Sequence, residues 1–146
     1  MSGIADFLRA RIQERRALAE AASPGPWHAD ADGYEVLAVD GITVADGFAL
    51  SDRQLRATVN HIAANDPADV IADCDAKLAL VEMHPPEEIP EHSRRPWSTF
   101  TVQCASESWK VYSDAENRVE YPCRTLRLLA QPFAGHPDHK GEQWAP

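Results

Sequence analysis

The sequence lacks most of the features by which a protein's function is recognised. It contains no Gly-x-Gly-x-x-Gly, no P-loop, no Gly-x-Ser-x-Gly and no His-Glu-x-x-His, which removes the usual signatures of nucleotide-binding proteins, α/β-hydrolases and zinc proteases. No run approaches the roughly 18–20 apolar residues of a membrane span. Three cysteines give no even disulfide framework, and the first residues lack the apolar stretch of a secretory signal. These absences predict a cytoplasmic protein with no membrane association.

Basic charge is also scarce, and its scarcity is local. The chain has 14 Lys and Arg against 23 Asp and Glu, a net charge of −9. Between His28 and Glu91 there are fourteen acids against three basic residues, a local net charge of −11. Such a surface repels phosphates, so direct nucleic-acid binding is not expected. A solvated acidic face is the simpler interpretation, and a surface that docks a basic protein partner is the alternative.

The composition that remains, 44% hydrophobic and 25% charged, is that of a globular protein. We predict one small acidic domain over residues 1–146. Ser51 followed by Gln54 has the form of a capping box, and Asp66 before Pro67 is a favourable helix start. With the apolar spacing, these signals predict four helices: Ser2 to about Ala21, Ser51 to about Ala64, Asp66 to Glu82, and Pro122 to Phe133, the last distorted or shortened by Pro132.

Two β regions complete an α+β fold. Asp40-Gly41 between two β-rich runs predicts a hairpin near residues 34–45 with a type I′ turn, which needs positive φ at both central residues. Its strands are Glu35–Val39 and Ile42–Ala45, with Trp27–Ala29 as a candidate third. A second short antiparallel region is expected near residues 98–121, and the proline-rich residues 84–98 are expected to form a flexible loop. The strands of the second region are Ser98–Cys104, Trp109–Tyr112 and Arg118–Tyr121.

One group of residues has the chemistry of a metal site. Cys104, Cys123, His136 and His139 follow the pattern C-x18-C-x12-H-x2-H, and zinc is bound by four such donors in a tetrahedron. The alternative is two buried cysteines and two surface histidines. Cys123 has no base or orienting group that the sequence identifies, so no catalytic residue is predicted and a non-enzymatic protein is favoured over an enzyme.

The remaining candidates are surfaces for a protein partner. Asp69 and Asp73 lie on one face of the acidic helix. The proline-rich loop offers Arg94, Arg95 and Trp97, and the C-terminal tail offers Trp144; aromatic and arginine side chains are the usual anchors of interfaces. The leading hypothesis is therefore a small binding or regulatory protein that acts through protein–protein contacts. The alternative is a zinc-stabilised protein or an enzyme that uses Cys104, Cys123, His136 and His139.

Several segments, taken in order, resemble a known family. These are FLRAR, ASPGPW, DGITVADGFALS, HIAANDPADVIADCDAKLALVEMH, TLRLLAQPFAGHPDH and the terminal WAP. They are similar to a domain-of-unknown-function family of actinobacteria and their phages, over nearly the whole chain. The resemblance implies a small cytosolic protein of host or phage origin and no particular activity. This chain has Ala64-Asn65-Asp66-Pro67-Ala68-Asp69 where the family has Arg-His-Asp-Pro-Ala-Arg, and His139 where it has tyrosine, so it is more acidic than the pattern.

Overall fold

A computed structural model describes residues 3–91, 94, 101–110 and 116–146. Helices and short antiparallel strands alternate along these residues, which confirms the predicted α+β class. No helix among the described residues has the length and apolar character needed to cross a membrane. The α-helices are α1 (Ile4–Ala21), α2 (Asp52–Ala63), α3 (Pro67–Met83) and α4 (Arg124–Ala130), followed by 3-10 turns at Gln131–Phe133 and Gly141–Trp144.

The strands are short and all pair with antiparallel neighbours. A three-stranded sheet has the order β1-β2-β3, β4 pairs with β5, and β6 pairs with β7. Beyond these pairs, the backbone N–H of Cys104 donates to the carbonyl of Val119, so β5 has a second neighbouring segment. The strand bounds are β1 His28–Ala29, β2 Glu35–Leu37, β3 Thr43–Asp46, β4 Pro86–Glu88, β5 Val102–Cys104, β6 Trp109–Lys110 and β7 Glu116–Asn117.

The residues group into two compact units. The middle unit is Gln13–Ala76, and the terminal unit combines Met1–Ile12 with Lys77–Pro146. Helices α1 and α3 each contribute residues to both units. The expectation of one domain stays a prediction, because two compact units joined by continuous helices can belong to a single folding domain.

The middle unit shows how local sequence signals set its elements. The Ser51 hydroxyl accepts a hydrogen bond from the Gln54 N–H at 3.3 Å, and the Asp66 carboxylate accepts one from the Asp69 N–H at 3.0 Å. Both predicted N-caps are therefore present at the starts of α2 and α3. The third strand predicted around Trp27–Ala29 is also present, as β1.

The hairpin forms where it was predicted, but the type I′ turn is wrong. Only Gly41 has a positive φ, 79°, and Asp40 does not. The Gly41 N–H donates to the Ala38 carbonyl, and the Ala38 N–H donates to the Ile42 carbonyl, both at 2.9 Å. This arrangement matches a three-residue loop in which a type I turn is followed by one left-handed residue. One glycine therefore suffices, because only the residue after the type I turn needs a positive φ in a three-residue loop. A two-residue type I′ turn needs positive φ at both of its central residues.

The terminal unit packs around an aromatic side chain of α1. The Phe7 ring is 4% exposed and has ring centroids of Phe133 at 6.2 Å and Trp144 at 5.0 Å. Helix α4 ends at Ala130, earlier than the outer predicted limit of Phe133. Pro132 explains this end, because it lacks the N–H that would continue the α-helical ladder, and a 3-10 turn follows instead.

The proline-rich segment also differs from the predicted loop. Its first part forms strand β4, in register with β5 through Pro86 opposite Cys104. Proline is compatible with an edge strand because its missing N–H faces away from the ladder. Ile89, directly after β4, is 2% exposed and contributes to the core. Residues 92, 93 and 95–100 lie outside the described residues, as does the start of the strand predicted at Ser98.

Candidate metal centre

Four side chains with metal-binding chemistry converge in the terminal unit. They are His84, Cys104, Glu107 and Cys123, and their ligand atoms all lie within 4.8 Å of one another. Each comes from a different place in the fold. His84 directly follows α3, Cys104 is the last residue of β5, Glu107 is in the turn after β5, and Cys123 is the N-cap of α4.

Backbone hydrogen bonds hold three of these positions, those of His84, Cys104 and Glu107. The Cys104 N–H donates to Val119 at 2.8 Å, which fixes the end of β5 from one side. The Ala105 N–H donates to the Pro85 carbonyl at 3.1 Å, which places the residue after His84 next to the residue after Cys104. The Ser108 N–H closes the turn that carries Glu107 by donating to the Cys104 carbonyl at 3.1 Å. The donors are thus presented by short strands and tight turns.

The three distances from the His84 imidazole have the lengths expected for edges of a zinc tetrahedron. His84 Nδ1 lies 3.4 Å from Cys104 Sγ, 3.5 Å from Cys123 Sγ and 3.4 Å from Glu107 Oε1. Zinc bonds of about 2.0–2.1 Å to nitrogen, about 2.3 Å to sulfur and about 2.0–2.2 Å to oxygen give tetrahedral N···S edges of about 3.5–3.6 Å and N···O edges of about 3.3–3.5 Å. All three measured edges agree with these values to about 0.2 Å.

The group is enclosed, with one side more open than the rest. Cys104 and Cys123 are 0% and 1% exposed, whereas the side chain of His84 is 11% exposed and that of Glu107 is 26% exposed. The two thiols therefore form the buried part of the group, and the carboxylate is its most exposed member. Access from solvent is on the Glu107 side.

The carboxylate has a partner that fixes its orientation. The Thr125 hydroxyl donates to Glu107 Oε1 at 2.6 Å. This hydrogen bond is the main cause that lowers the pKa of Glu107, opposed by partial burial and assisted by Cys123 and His84. The side chain is therefore held as an ionised acceptor. A hydrogen bond of this kind to a metal-ligating carboxylate is a common second layer of a metal site.

The Cys123 thiol has the opposite tendency in the absence of a cation. Burial raises the pKa of Cys123 to about 12, the Leu126 N–H opposes the shift, and the neighbouring Cys104 and Glu107 add to it. A buried thiol with this pKa is protonated and unreactive as a nucleophile at neutral pH. Burial of the thiol therefore works against Cys123 as a catalytic nucleophile.

The whole chain matches one protein family. The model of a family of unknown function, DUF6221, matches residues 1–146. The chain belongs to this family. The predicted membership in a domain-of-unknown-function family is therefore confirmed, and membership of DUF6221 carries no activity with it. Comparisons with curated proteins and with solved structures gave no match.

In this DUF6221 protein, the structure brings together two of the four donors predicted from the sequence. Cys104 and Cys123 are in the group, whereas His136 and His139 are not. The two histidines pack against the Phe7 ring, with centroids at 5.7 and 5.8 Å. Their Nδ1 atoms accept the backbone N–H of Asp138 at 3.1 Å and of Gly141 at 3.0 Å. Those lone pairs therefore close turns, and the structure does not bring the predicted ligand set of Cys104, Cys123, His136 and His139 into one group.

The two donors that the sequence reasoning missed are His84 and Glu107. The sequence places His84 at the start of the proline-rich loop, and the predicted ligand set contains only cysteine and histidine, which leaves out Glu107. One signal was available: Cys104 and Glu107 have the C-x2-E spacing, which places two donors on one tight turn as C-x2-C does in zinc proteins. No comparable local signal indicates His84, which precedes Cys104 by twenty residues.

The residues predicted to contact a partner have different surroundings. Asp69 and Asp73 are exposed on α3, and Arg94 is exposed with its Nε donating to the Ile89 carbonyl at 3.0 Å. Trp144 is 4% exposed and packs on Phe7 and His139, so the expected exposed anchor is a core residue. Its large apolar surface is better buried beside Phe7 than left in water. Arg95 and Trp97 lie outside the described residues.

Proposed function

We propose that this DUF6221 protein binds one zinc ion through His84, Cys104, Glu107 and Cys123, and that the metal has a structural role. The observation that carries the proposal is the set of three distances from His84 Nδ1, which match the edges of a zinc tetrahedron. The donor types also fit, because thiolate, imidazole and carboxylate are the zinc ligands of proteins.

A structural role follows from the number of ligands. Four protein donors fill a tetrahedron and leave no position for water or substrate, which is the arrangement of structural rather than catalytic zinc. The four donors also join the end of α3, the end of β5, the following turn and the start of α4. The metal would therefore connect segments whose strands contain only two or three residues and provide few ladder hydrogen bonds.

The site needs only a small adjustment to accept the ion. No pair of ligand atoms is further apart than 4.8 Å, and the longest edge of a mixed sulfur, nitrogen and oxygen tetrahedron is about 3.8 Å. The difference of at most about 1 Å is within the reach of side-chain torsion changes. Iron and cobalt favour similar donors, so metal identity is part of the test.

The test is metal analysis of the purified protein beside matched cysteine variants. We expect one zinc per chain in the wild type and in Cys74→Ser, because Cys74 is a buried cysteine of the middle unit that is not in the cluster. We expect loss of the metal in Cys104→Ser and in Cys123→Ser. The distances equally suit hydrogen bonds among neutral thiols and imidazole; a wild-type protein purified without metal that also fails to bind added zinc or cobalt would establish that interpretation and reject ours.

Cobalt substitution provides a second readout that does not depend on yield. Co²⁺ bound to two thiolates in a tetrahedron gives intense visible absorption together with sulfur-to-cobalt charge-transfer bands. We expect these bands in the wild type and in Cys74→Ser. Octahedral, weakly coloured cobalt in the wild type would contradict the proposed donor set even if the protein binds metal.

The protein-binding function predicted from the sequence, together with the cytoplasmic location and the actinobacterial or phage origin, is a separate proposal. The protein-binding part of this proposal is supported by the acidic charge of the middle unit. That unit has twelve acidic residues and four arginines, a formal net charge of −8. Asp69→Lys and Asp73→Lys variants test the acidic helix, since capture of a defined partner unchanged by both variants would remove that helix from the interface.

A further inference from the structure

The middle unit displays two large apolar side chains almost completely in water. Phe48 is 89% exposed and Leu50 is 102% exposed, and both belong to the Phe48 loop, residues 47–51. Scattered single apolar residues are normal on protein surfaces. Two such residues on one five-residue segment are different, because each leaves its apolar surface in water and forgoes the free energy of burial.

Both ends of the Phe48 loop are fixed to the fold. At one end the Gly47 N–H donates to the Tyr34 carbonyl at 2.7 Å, and a Cβ on Gly47 would lie 2.6 Å from Leu55 Cδ1 and from Val59 Cγ2. At the other end the Ser51 hydroxyl caps α2. Only glycine permits this close approach of strand end and helix. The side chains between the two anchors are therefore held outward by the backbone, away from the core beside them.

A second aromatic residue lies on the backbone segment that is hydrogen-bonded to the loop. Tyr34, whose carbonyl receives the Gly47 N–H, is 40% exposed, and the Arg56 guanidinium lies over its ring at 5.6 Å. Tyr34, Phe48 and Leu50 are thus exposed side chains on two backbone segments that are joined by the hydrogen bond from Gly47 to Tyr34. Aromatic residues are enriched at the energetic centres of interfaces because they bury much area for little conformational entropy.

The charge around this surface indicates the chemistry of the occupant. Asp46 and Asp52 are exposed on either side of the Phe48 loop, Arg53 and Arg56 are exposed on the helix that follows it, and the unit that carries the loop has a formal net charge of −8. A second copy of the chain would place one such surface against another, and an anionic membrane or a nucleic acid would be repelled in the same way. A cationic partner gains from the same field in both association rate and specificity.

We propose that the Phe48 loop, with Tyr34, docks an amphipathic cationic segment of another protein, one that presents apolar side chains alongside Lys or Arg. Phe48 and Leu50 are the apolar anchors, and Asp46 and Asp52 pair with the flanking basic residues. The proposal is independent of the zinc site, since none of its residues belongs to the terminal unit.

The test uses a defined peptide as the probe. It has Leu and Lys at the spacing of an amphipathic helix, and its controls are a peptide of the same composition in scrambled order and a Leu/Glu peptide with the same spacing. Binding to the full chain is measured by fluorescence anisotropy, and the contact is located from backbone amide chemical shifts. We expect saturable binding of the Leu/Lys peptide, shift changes centred on residues 46–52, and a Kd that rises with salt because the flanking contacts are ionic.

Matched variants distinguish binding at the Phe48 loop from nonspecific hydrophobic binding elsewhere on the protein. Phe48→Ser with Leu50→Ser should weaken binding by about tenfold or more, as loss of interface anchors does. Leu18→Ser is the control, because Leu18 is 75% exposed, lies in the same unit and is outside the loop. Asp46→Asn with Asp52→Asn should weaken binding less and reduce its dependence on salt. All these side chains are exposed, so the variants are expected to keep the wild-type circular dichroism and Tm.

Several results would overturn the proposal. The first is absence of binding, and the second is binding by Phe48→Ser with Leu50→Ser that equals binding by the wild type. The others are a loss of binding in Leu18→Ser as large as in the double serine variant, and equal binding of the Leu/Glu or scrambled peptide. Self-association of the wild type that disappears in Phe48→Ser with Leu50→Ser would assign the surface to a second copy. Loop-dependent binding to phosphatidylcholine vesicles without binding of the Leu/Lys peptide would assign it to a lipid surface.

Discussion

The two units of this chain reach a folded state by different means. In the middle unit, elements begin at residues that cap them, as Ser51 and Asp66 do, and a single left-handed glycine turns the hairpin. In the terminal unit, strands of two or three residues meet at His84, Cys104, Glu107 and Cys123, which are far apart in sequence. The strands are short in both units, so the difference lies elsewhere. Local signals set the helix starts and the hairpin turn of the middle unit, whereas the terminal unit is held by contacts between residues far apart in sequence.

The units differ in charge and in surface as well. The middle unit carries almost all of the net charge, −8 of −9 over the whole sequence. It also exposes Phe48 and Leu50, whereas the terminal unit buries Phe7 and Trp144. These differences underlie the two proposals, a structural zinc ion in the terminal unit and a partner surface on the middle unit. Four predictions test the comparison, in order of decreasing effect.

The largest expected effect is that of metal removal. A structural zinc ion contributes binding free energy of about 10–16 kcal/mol in small zinc-finger peptides at neutral pH. We expect a membrane-permeant, high-affinity zinc chelator to abolish amide protection in β5 and α4 of zinc-loaded protein while protection in β2 and β3 declines much less, measured by hydrogen exchange. Equal loss in all four elements would show that the two units do not differ in their dependence on metal.

The next effect concerns the aromatic packing of the terminal unit. Phe7→Ala removes a ring that contacts Phe133, His136, His139 and Trp144, and is expected to lower the free energy of unfolding by about 3–5 kcal/mol. Leu18→Ala, on the exposed face of the same helix, should change it by no more than about 0.5 kcal/mol. Denaturant titration measures both. A loss in Phe7→Ala no larger than that in Leu18→Ala would mean that the packing of the Phe7 ring does not stabilise the terminal unit.

A smaller effect is expected from the group that orients the carboxylate ligand. Thr125→Val removes the hydroxyl that donates to Glu107 and should weaken zinc affinity by about 10–100-fold, measured by competition with a chromophoric chelator. Thr43→Val is the matched control, since the Thr43 hydroxyl donates to Glu35 in the middle unit at 2.9 Å. An unchanged affinity in Thr125→Val would remove Glu107 from the ligand set, leaving a three-donor site.

The smallest effect concerns the middle unit's local signals. Ser51→Ala deletes the N-cap of α2 and should cost about 1 kcal/mol of unfolding free energy, whereas Ser51→Asp, which keeps an acceptor, should restore most of it. Thermal unfolding followed at constant zinc compares the two. If Ser51→Asp were as destabilised as Ser51→Ala, the serine would be acting through something other than capping.

Sequence reasoning was most reliable where a single local contact decides the structure. The capping serine and aspartate, the hairpin position and the shortened α4 were all accessible because each depends on residues within about four positions. The turn type was missed because an Asp-Gly pair suits both a two-residue loop and the end of a three-residue one. The β4 strand was missed because Pro86 suggested a loop, and its pairing partner β5 comes later in the chain.

The candidate site was only half accessible for the same reason. Cys104 and Cys123 were recognisable as donors from their chemistry, but nothing local connects them to His84, and His136 and His139 matched the expected residue types equally well. By itself the sequence determined the family, the α+β class, the helix starts and the concentration of acidic charge in the middle of the chain. Only the tertiary structure decided which donors meet, because the pairing of β5 with β4 and with Val119 brings Cys104 to the end of α3, where His84 lies. Likewise, only packing decided that Trp144 is buried on Phe7 while Phe48 remains in water.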